Sequence, residues 1–234
     1  MKNVLICNNC GRENDYYKLN CTECKSFLRA RIVNIDFWDT VWKFFYSPVH
    51  TAQKIIQAEN KNYLITSSIL TAFKISLVSL ILMNAFGNEE GGDEPFSRGI
   101  LLGGMPFLLI TSLFSFLVTL LNKKFGISGR FKDNLSIYLF SFIPLNMALL
   151  ILTPIQFALF GEYWFTFNPS PFIMKPQASV VILILEIVML IWSAVLFVTS
   201  TYAQTKNRAY SIAAGLAGFA MIIGVVAALS IWFN

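Results

Sequence analysis

Histidine occurs once in the 234 residues and cysteine only four times, always before residue 25. Charged residues make up 13% of the chain against 56% hydrophobic ones, roughly half the charge of an ordinary soluble domain. No Walker loop, serine nucleophile elbow, His-Glu zinc-protease pair or phosphate-cradling glycine string occurs. The chain is therefore read as not an enzyme, because an intramembrane enzyme would lack a catalytic set. A cleavable signal peptide is missing too. Val4 to Ile6 is a short apolar run followed at once by cysteines, with no h-region and no small-residue cleavage site. Targeting then falls to the first membrane span.

What the sequence has in quantity is long apolar runs. Leu64 to Phe86 is too long and too oily for a buried helix, since about 20 such residues cross a bilayer core. Four more runs, near 100–121, 135–160, 178–203 and 210–233, pass the same test. The expected fold is an all-α membrane protein: a five-transmembrane-helix bundle over 63–234, preceded by a small zinc ribbon in 1–31 and juxtamembrane amphipathic helices in 32–62.

The net charge of +5 matters less than where the charges lie. Lysine and arginine number nine before residue 63, then one, four, one and two in the successive loops. By the positive-inside rule this alternation puts the N-terminus in the cytoplasm and the C-terminus outside. Glu89, Glu90, Asp93 and Glu94 make the first outer loop acidic. Topology thus accounts for the basic balance, and no nucleic-acid partner follows from it.

The cysteines fall in CNNCGRENDYYKLNCTEC, as Cys7 and Cys10, then Cys21 and Cys24. Two Cys-x-x-Cys knuckles can turn four thiolates onto one ion, the closed set that a structural Zn²⁺ takes. Gly11 suits the tight turn after the first knuckle. The alternatives are two disulfides, disfavoured in a reducing cytosol, or a redox pair, which would need a thioredoxin-like frame that is not there. So small a head needs metal to fold. It resembles the short zinc-ribbon heads of many bacterial membrane proteins.

Between head and first span, Phe37, Trp38, Val41, Trp42, Phe44 and Phe45 recur near helical spacing with Asp36, Asp39, Thr40 and Lys43 between them. Such a segment either lies in the membrane interface or packs on the bundle or head. Ser47 followed by Pro48 marks the start of a second short helix. His50, with no second ligand near it in the sequence, reads as an interfacial polar residue.

The string SPVHTAQKII, then polar ENKNY just before the first of five spans, resembles the bacterial form of the Yip family, the Ypt/Rab-interacting membrane proteins. The Asp-Leu-Tyr-Gly-Pro-like string and Gly-Tyr pair of its eukaryotic members are absent. The resemblance implies five helices with a cytosolic N-terminus in the bacterial cytoplasmic membrane, and no enzyme activity.

Within the spans, Lys74 and Glu186 are the ionisable residues; isolated in lipid, each costs a few kcal/mol. Either they pair, or each snorkels to its own side. Span three carries Pro144, Asn146, Pro154 and Gln156, the pattern of a kinked helix whose freed carbonyls need partners. Span five repeats small residues: Ala214 and Gly218, then Ala220, Gly224 and Ala228. Small residues let helices approach, so this face is expected to be buried, with Gly103 and Gly104 of span two as possible counterparts. The aromatic, proline-rich loop 161–177 should cover the outer end as a lid, a plug or a partner surface.

Two functions fit. One is an accessory or scaffold protein whose zinc head presents a protein-interaction surface, while the bundle meets the lipid bilayer and a membrane protein partner, such as an ABC-type exporter, or forms a homo-oligomer. The other is a small transporter or lipid-handling channel using Lys74 and Glu186.

Overall fold

A computed structural model of the chain describes residues 4–15, 18–28, 35–87, 95–127 and 129–233. Glu89, Glu90, Asp93 and Glu94 of the acidic loop, the junction at 29–34 and Asn234 lie outside the described residues. Among the described residues five helices are long and apolar enough to cross a membrane: Leu64–Phe86, Phe96–Lys124, Phe131–Phe160, Pro176–Thr205 and Arg208–Trp232, here spans one to five. The head adds a two-stranded antiparallel sheet, β1 (Val4–Ile6) against β2 (Glu13–Asp15), with Leu5 opposite Asn14. The partly buried Leu5 packs against the hydrophobic cluster that runs from Ile35 into the spans.

Two short helices follow the head. Asp36 caps α1 (Phe37–Tyr46) by accepting the backbone N–H of Asp39, and α2 (Pro48–Gln57) begins at the proline that follows Ser47. Thr40, Val41 and Phe44 turn inward, while Trp38, Trp42 and Tyr46, four residues apart, point out at 60%, 68% and 71% exposure. One face of α1 therefore packs on protein, and the other offers the aromatics that favour a bilayer interface. Asp39 accepts hydrogen bonds from Lys43 (2.8 Å) and Lys54 (2.9 Å), tying α1 to α2. These two ammonium groups, Lys43 first, hold its carboxyl below the usual carboxylate range.

Span three is the centre of the bundle. Its most apolar window is 78% buried, against 22% for spans four and five, the two least covered by protein. It breaks at Ser141 and Phe142, just before Pro144, whose ring and missing N–H prevent a continuous helix there. Pro154 lies inside the second segment. The core is aromatic: Tyr138 stacks on Phe197 at 4.4 Å between ring centres, and Phe114 meets Tyr138 edge-on at 5.1 Å. Phe107 and Phe142 add a further edge-on pair at 5.0 Å.

Lipid tails give helices no hydrophobic reason to associate, so polar bonds and close approach do that work. Ser79 meets Ser230 at 2.6 Å, Ser141 meets Ser200 at 3.0 Å, and Asn122 donates to Gln204 at 3.1 Å. In span two, Ile100–Gly104 forms a π turn, with the Met105 N–H returning to the Ile100 carbonyl. A side chain at Gly99 or Gly103 would collide with span one, its Cβ 2.6 Å from the Ser76 carbonyl oxygen or 2.5 Å from Ser79 Cβ. Gly104 sits equally hard against Ser76. Gly103 and Gly104 thus make their closest approach to span one.

At the end of the bundle where span one closes and span two begins, loop 161–175 folds back as two helical turns, Tyr163–Thr166 and Pro171–Met174. Trp164 is buried with Phe160 and Ile182, Asn84 donates to the Phe165 carbonyl (2.8 Å), and Lys175 donates to the Leu159 carbonyl (2.8 Å).

Candidate functional site

The cysteine tetrad is built by two matching turns. Knuckle one, Cys7 to Gly11, closes with the Gly11 N–H on the Cys7 carbonyl (2.8 Å), and knuckle two, Cys21 to Lys25, with the Lys25 N–H on the Cys21 carbonyl (3.2 Å). Both closing residues take positive φ, +70° at Gly11 and +59° at Lys25. The four Sγ atoms lie within 4.8 Å of one another, with Cys7 to Cys24 at 3.6 Å and Cys10 to Cys21 at 3.5 Å. All four are free thiols. A zinc tetrahedron with bonds of about 2.3 Å has sulfur edges of about 3.8 Å, so the donor set fits a metal ion.

Ser26 favours the thiolate at two of the sulfurs, Cys7 and Cys24, whereas the Cys10 thiol, against the lowering bond with the Arg12 backbone, is pushed up to about 12 by burial and its cysteine neighbours. Ser26 Oγ lies 3.1 Å from Cys7 Sγ and 3.0 Å from Cys24 Sγ, and its hydroxyl is the main reason the Cys24 thiol is pushed down to about 5. Buried Asn14 donates to Cys21 Sγ (3.5 Å) and accepts the Thr22 N–H (2.9 Å), joining β2 to the second knuckle. Four protein sulfurs leave no open position for substrate or water.

Deep in the bundle, Lys74 Nζ lies 2.6 Å from Glu186 Oε1, with side-chain exposures of 3% and 17%. The same carboxylate oxygen accepts a bond from Gln156 Nε2 at 2.7 Å, and Thr153 Oγ1 lies 3.4 Å from Lys74. Spans one, three and four are therefore joined at one charged point. Further along the same helices, Asn146 accepts from Thr71 (2.9 Å) and donates to Ser67 (3.3 Å), adding a neutral link between spans three and one.

In span five, Gly218 is buried under the Phe114 ring, where any Cβ would clash, and Ala214 is half-buried. Gly224 has nothing within 4 Å of a built Cβ, and Ala220 and Ala228 are exposed with it. Gly215 takes the close contact instead, its Cβ position 2.8 Å from Val198 Cα. The expectation of a single buried small-residue face thus fails inside one chain: the helix turns Gly215 and Gly218 to its neighbours and Gly224 outward. His50 is exposed.

A second buried ion pair went unnoticed in the sequence. Lys61 Nζ lies 2.8 Å from Asp133 Oδ1, with 1% and 0% side-chain exposure, and Arg130 grips the same carboxylate at 3.0 Å. Lys61 also donates to the carbonyls of Ile55, Ile56 and Ala58, closing the C-terminal end of α2. Asp133 is in the first turn of span three and accepts the Arg130 backbone N–H at 3.3 Å. The cation thus sits at the negative end of one helix and the anion at the positive end of the other. The readable signal was an acid three residues after Arg130 at a helix start; Lys61, in a polar run, gave none.

Compared with known proteins, the Yip1 domain matches residues 42–231, which takes in all five spans and α2 and leaves the cysteine head outside. No match was found among curated proteins or among solved structures. With that family covering most of its length and a five-span bundle under the match, the chain belongs to the Yip1 domain family of membrane proteins.

Proposed function

We propose that this protein is a membrane scaffold: a cytosolic head folded around one structural zinc ion presents a protein-interaction surface, and the five-span bundle holds a membrane partner. The observation that carries this reading is the division of the chain at the family match, with a closed four-sulfur tetrad lying entirely outside a Yip1 bundle. A closed tetrad suits a fold-maintaining ion rather than chemistry. The bundle's intramembrane charges are neutralised by each other, as packing elements require and as free catalytic groups are not. Cys7, Cys10, Cys21 and Cys24 would hold the zinc. The membrane partner is a transporter complex or a second copy of the chain, the exposed Gly224 stripe being available to either.

The test is in-cell crosslinking of the full chain and of a Cys7→Ser/Cys21→Ser variant. Stoichiometric zinc in the wild type, and a defined crosslinked partner lost in the variant while the bundle still inserts, supports the scaffold. Wild-type protein that purifies metal-free with the same fold would falsify it.

A transport reading has one observation in its favour: Glu186 keeps 17% exposure beside a fully buried Lys74. Flux in liposomes containing purified protein, abolished by Glu186→Gln, would move the assignment to that class.

A further inference from the structure

A cavity of about 610 Å³ opens at the end of the bundle, between Phe125 to Ile127 at the close of span two and Lys206 to Tyr210 at the turn joining spans four and five. Its two charged lining residues, Lys206 and Arg208, are both cations, and no carboxylate is among the described residues that line it. Neither has a carboxylate partner among the described residues. Lys206 is only half-exposed and stands over the Tyr202 ring at 5.8 Å. Burial pushes its pKa down, a desolvation cost that an anion in the cavity would offset. The rest of the wall suits the same ligand. Span five starts here, with Asn207 as its cap, so the positive end of a 25-residue helix adds to the two cations.

The cavity lies where the helices leave the apolar slab. Phe125 is 67% exposed and meets Tyr210 edge-on at 5.9 Å, as aromatics do at a membrane boundary. Exposed Lys123 and Lys124 in the last turn of span two extend the positive field around the mouth. A cavity of this size holds a small ligand or a headgroup.

We propose that this cavity is a binding site for a phosphate-bearing anion, either the headgroup of an anionic phospholipid or a free phosphate compound, held by Lys206 and Arg208. The site is independent of the scaffold reading, since it uses neither the head nor the intramembrane pair.

The experiment uses the full chain in a neutral detergent, titrated with dihexanoyl-phosphatidylglycerol, dihexanoyl-phosphatidylcholine or inorganic pyrophosphate, with binding read by native mass spectrometry and by thermal midpoint. Arg208→Gln and Lys206→Asn are made singly and together. Arg208 is exposed, so its variant leaves the fold intact; asparagine tolerates the positive φ of position 206. Saturable binding of the glycerol lipid, weakened about fivefold by each substitution and roughly 25-fold by both, supports a lipid headgroup site. Pyrophosphate binding with the same sensitivity, stronger than that of the lipid, supports a free phosphate ligand. Binding of neither anion, equal binding of phosphatidylcholine, or anion binding that both variants retain overturns the site.

Discussion

Lys61 and Asp133 meet at 2.8 Å with both side chains shut away from solvent, one beyond the end of α2 and the other in the first turn of span three. This pair fastens the amphipathic belt to the central helix of the bundle. Three carbonyls also take the ammonium, and Arg130 bonds both oxygens of the carboxylate.

Removing one partner takes a counter-charge from a buried group. Asp133→Asn should cost about 3–5 kcal/mol, because it takes the counter-charge away from the buried Lys61, and Lys61→Met should cost less, because Arg130 still holds Asp133. The double variant Lys61→Met/Asp133→Leu should recover a large part of the loss. Thermal midpoints of the full chain in detergent read all three; additive losses would show that the two residues act separately.

The same pair makes a pH prediction. Burial pulls the Lys61 pKa down from 10.5 to about 8, with Asp133 pulling it back part of the way. Between those values the unfolded chain holds one more proton than the folded one, so stability rises with pH in that window. Wild type measured against Lys61→Met should show a constant difference below pH 8 and a shift in favour of wild type from there toward pH 10. A shift of opposite sign would mean that the ion pair outweighs desolvation.

Lys25 and Gly11 hold equivalent places after the two knuckles, and both take positive φ. A non-glycine residue there is strained by roughly 1 kcal/mol. Lys25→Gly should therefore tighten zinc binding about twofold to fivefold in a chelator competition. Gly11→Ala should weaken it by a similar factor, although its Cβ would touch nothing. Equal and null effects would place the head's stability elsewhere.

In the membrane pair the partners are not equivalent. Lys74→Met leaves Glu186 with the Gln156 amide and 17% exposure. Glu186→Gln leaves a lysine at 3% exposure with Thr153 at 3.4 Å. The second should lower the thermal midpoint more, on the order of 2–4 kcal/mol against about half that for the first.

The spans and knuckles were legible because each is written locally: a run of apolar residues, or two cysteines three apart. Span ends were less so. Spans two and four run on to Lys124 and Thr205, since a helix keeps its hydrogen bonds beyond the apolar slab that its hydropathy marks. The break in span three was foreshadowed by Pro144, although it falls at Ser141 and Phe142. Contacts between distant segments left no local trace. Lys61 looked like one more loop charge until Asp133 was brought beneath α2. Which small residues of span five would be covered depended on where Phe114 and Val198 arrived, and no periodicity in span five itself encodes that.

The π turn at Ile100–Gly104 acts as a splice between two helical phases. Ahead of it and within it, Gly99, Gly103 and Gly104 address span one; beyond it, Phe107, Thr111, Phe114 and Val118 address the aromatic core. Such a turn is in effect one extra residue threaded into a helix. Excising one would restore regular geometry and rotate one half against the other by about 100°. Glycines and phenylalanines could then no longer both face their partners, so the length of this short stretch is under as tight a constraint as its composition.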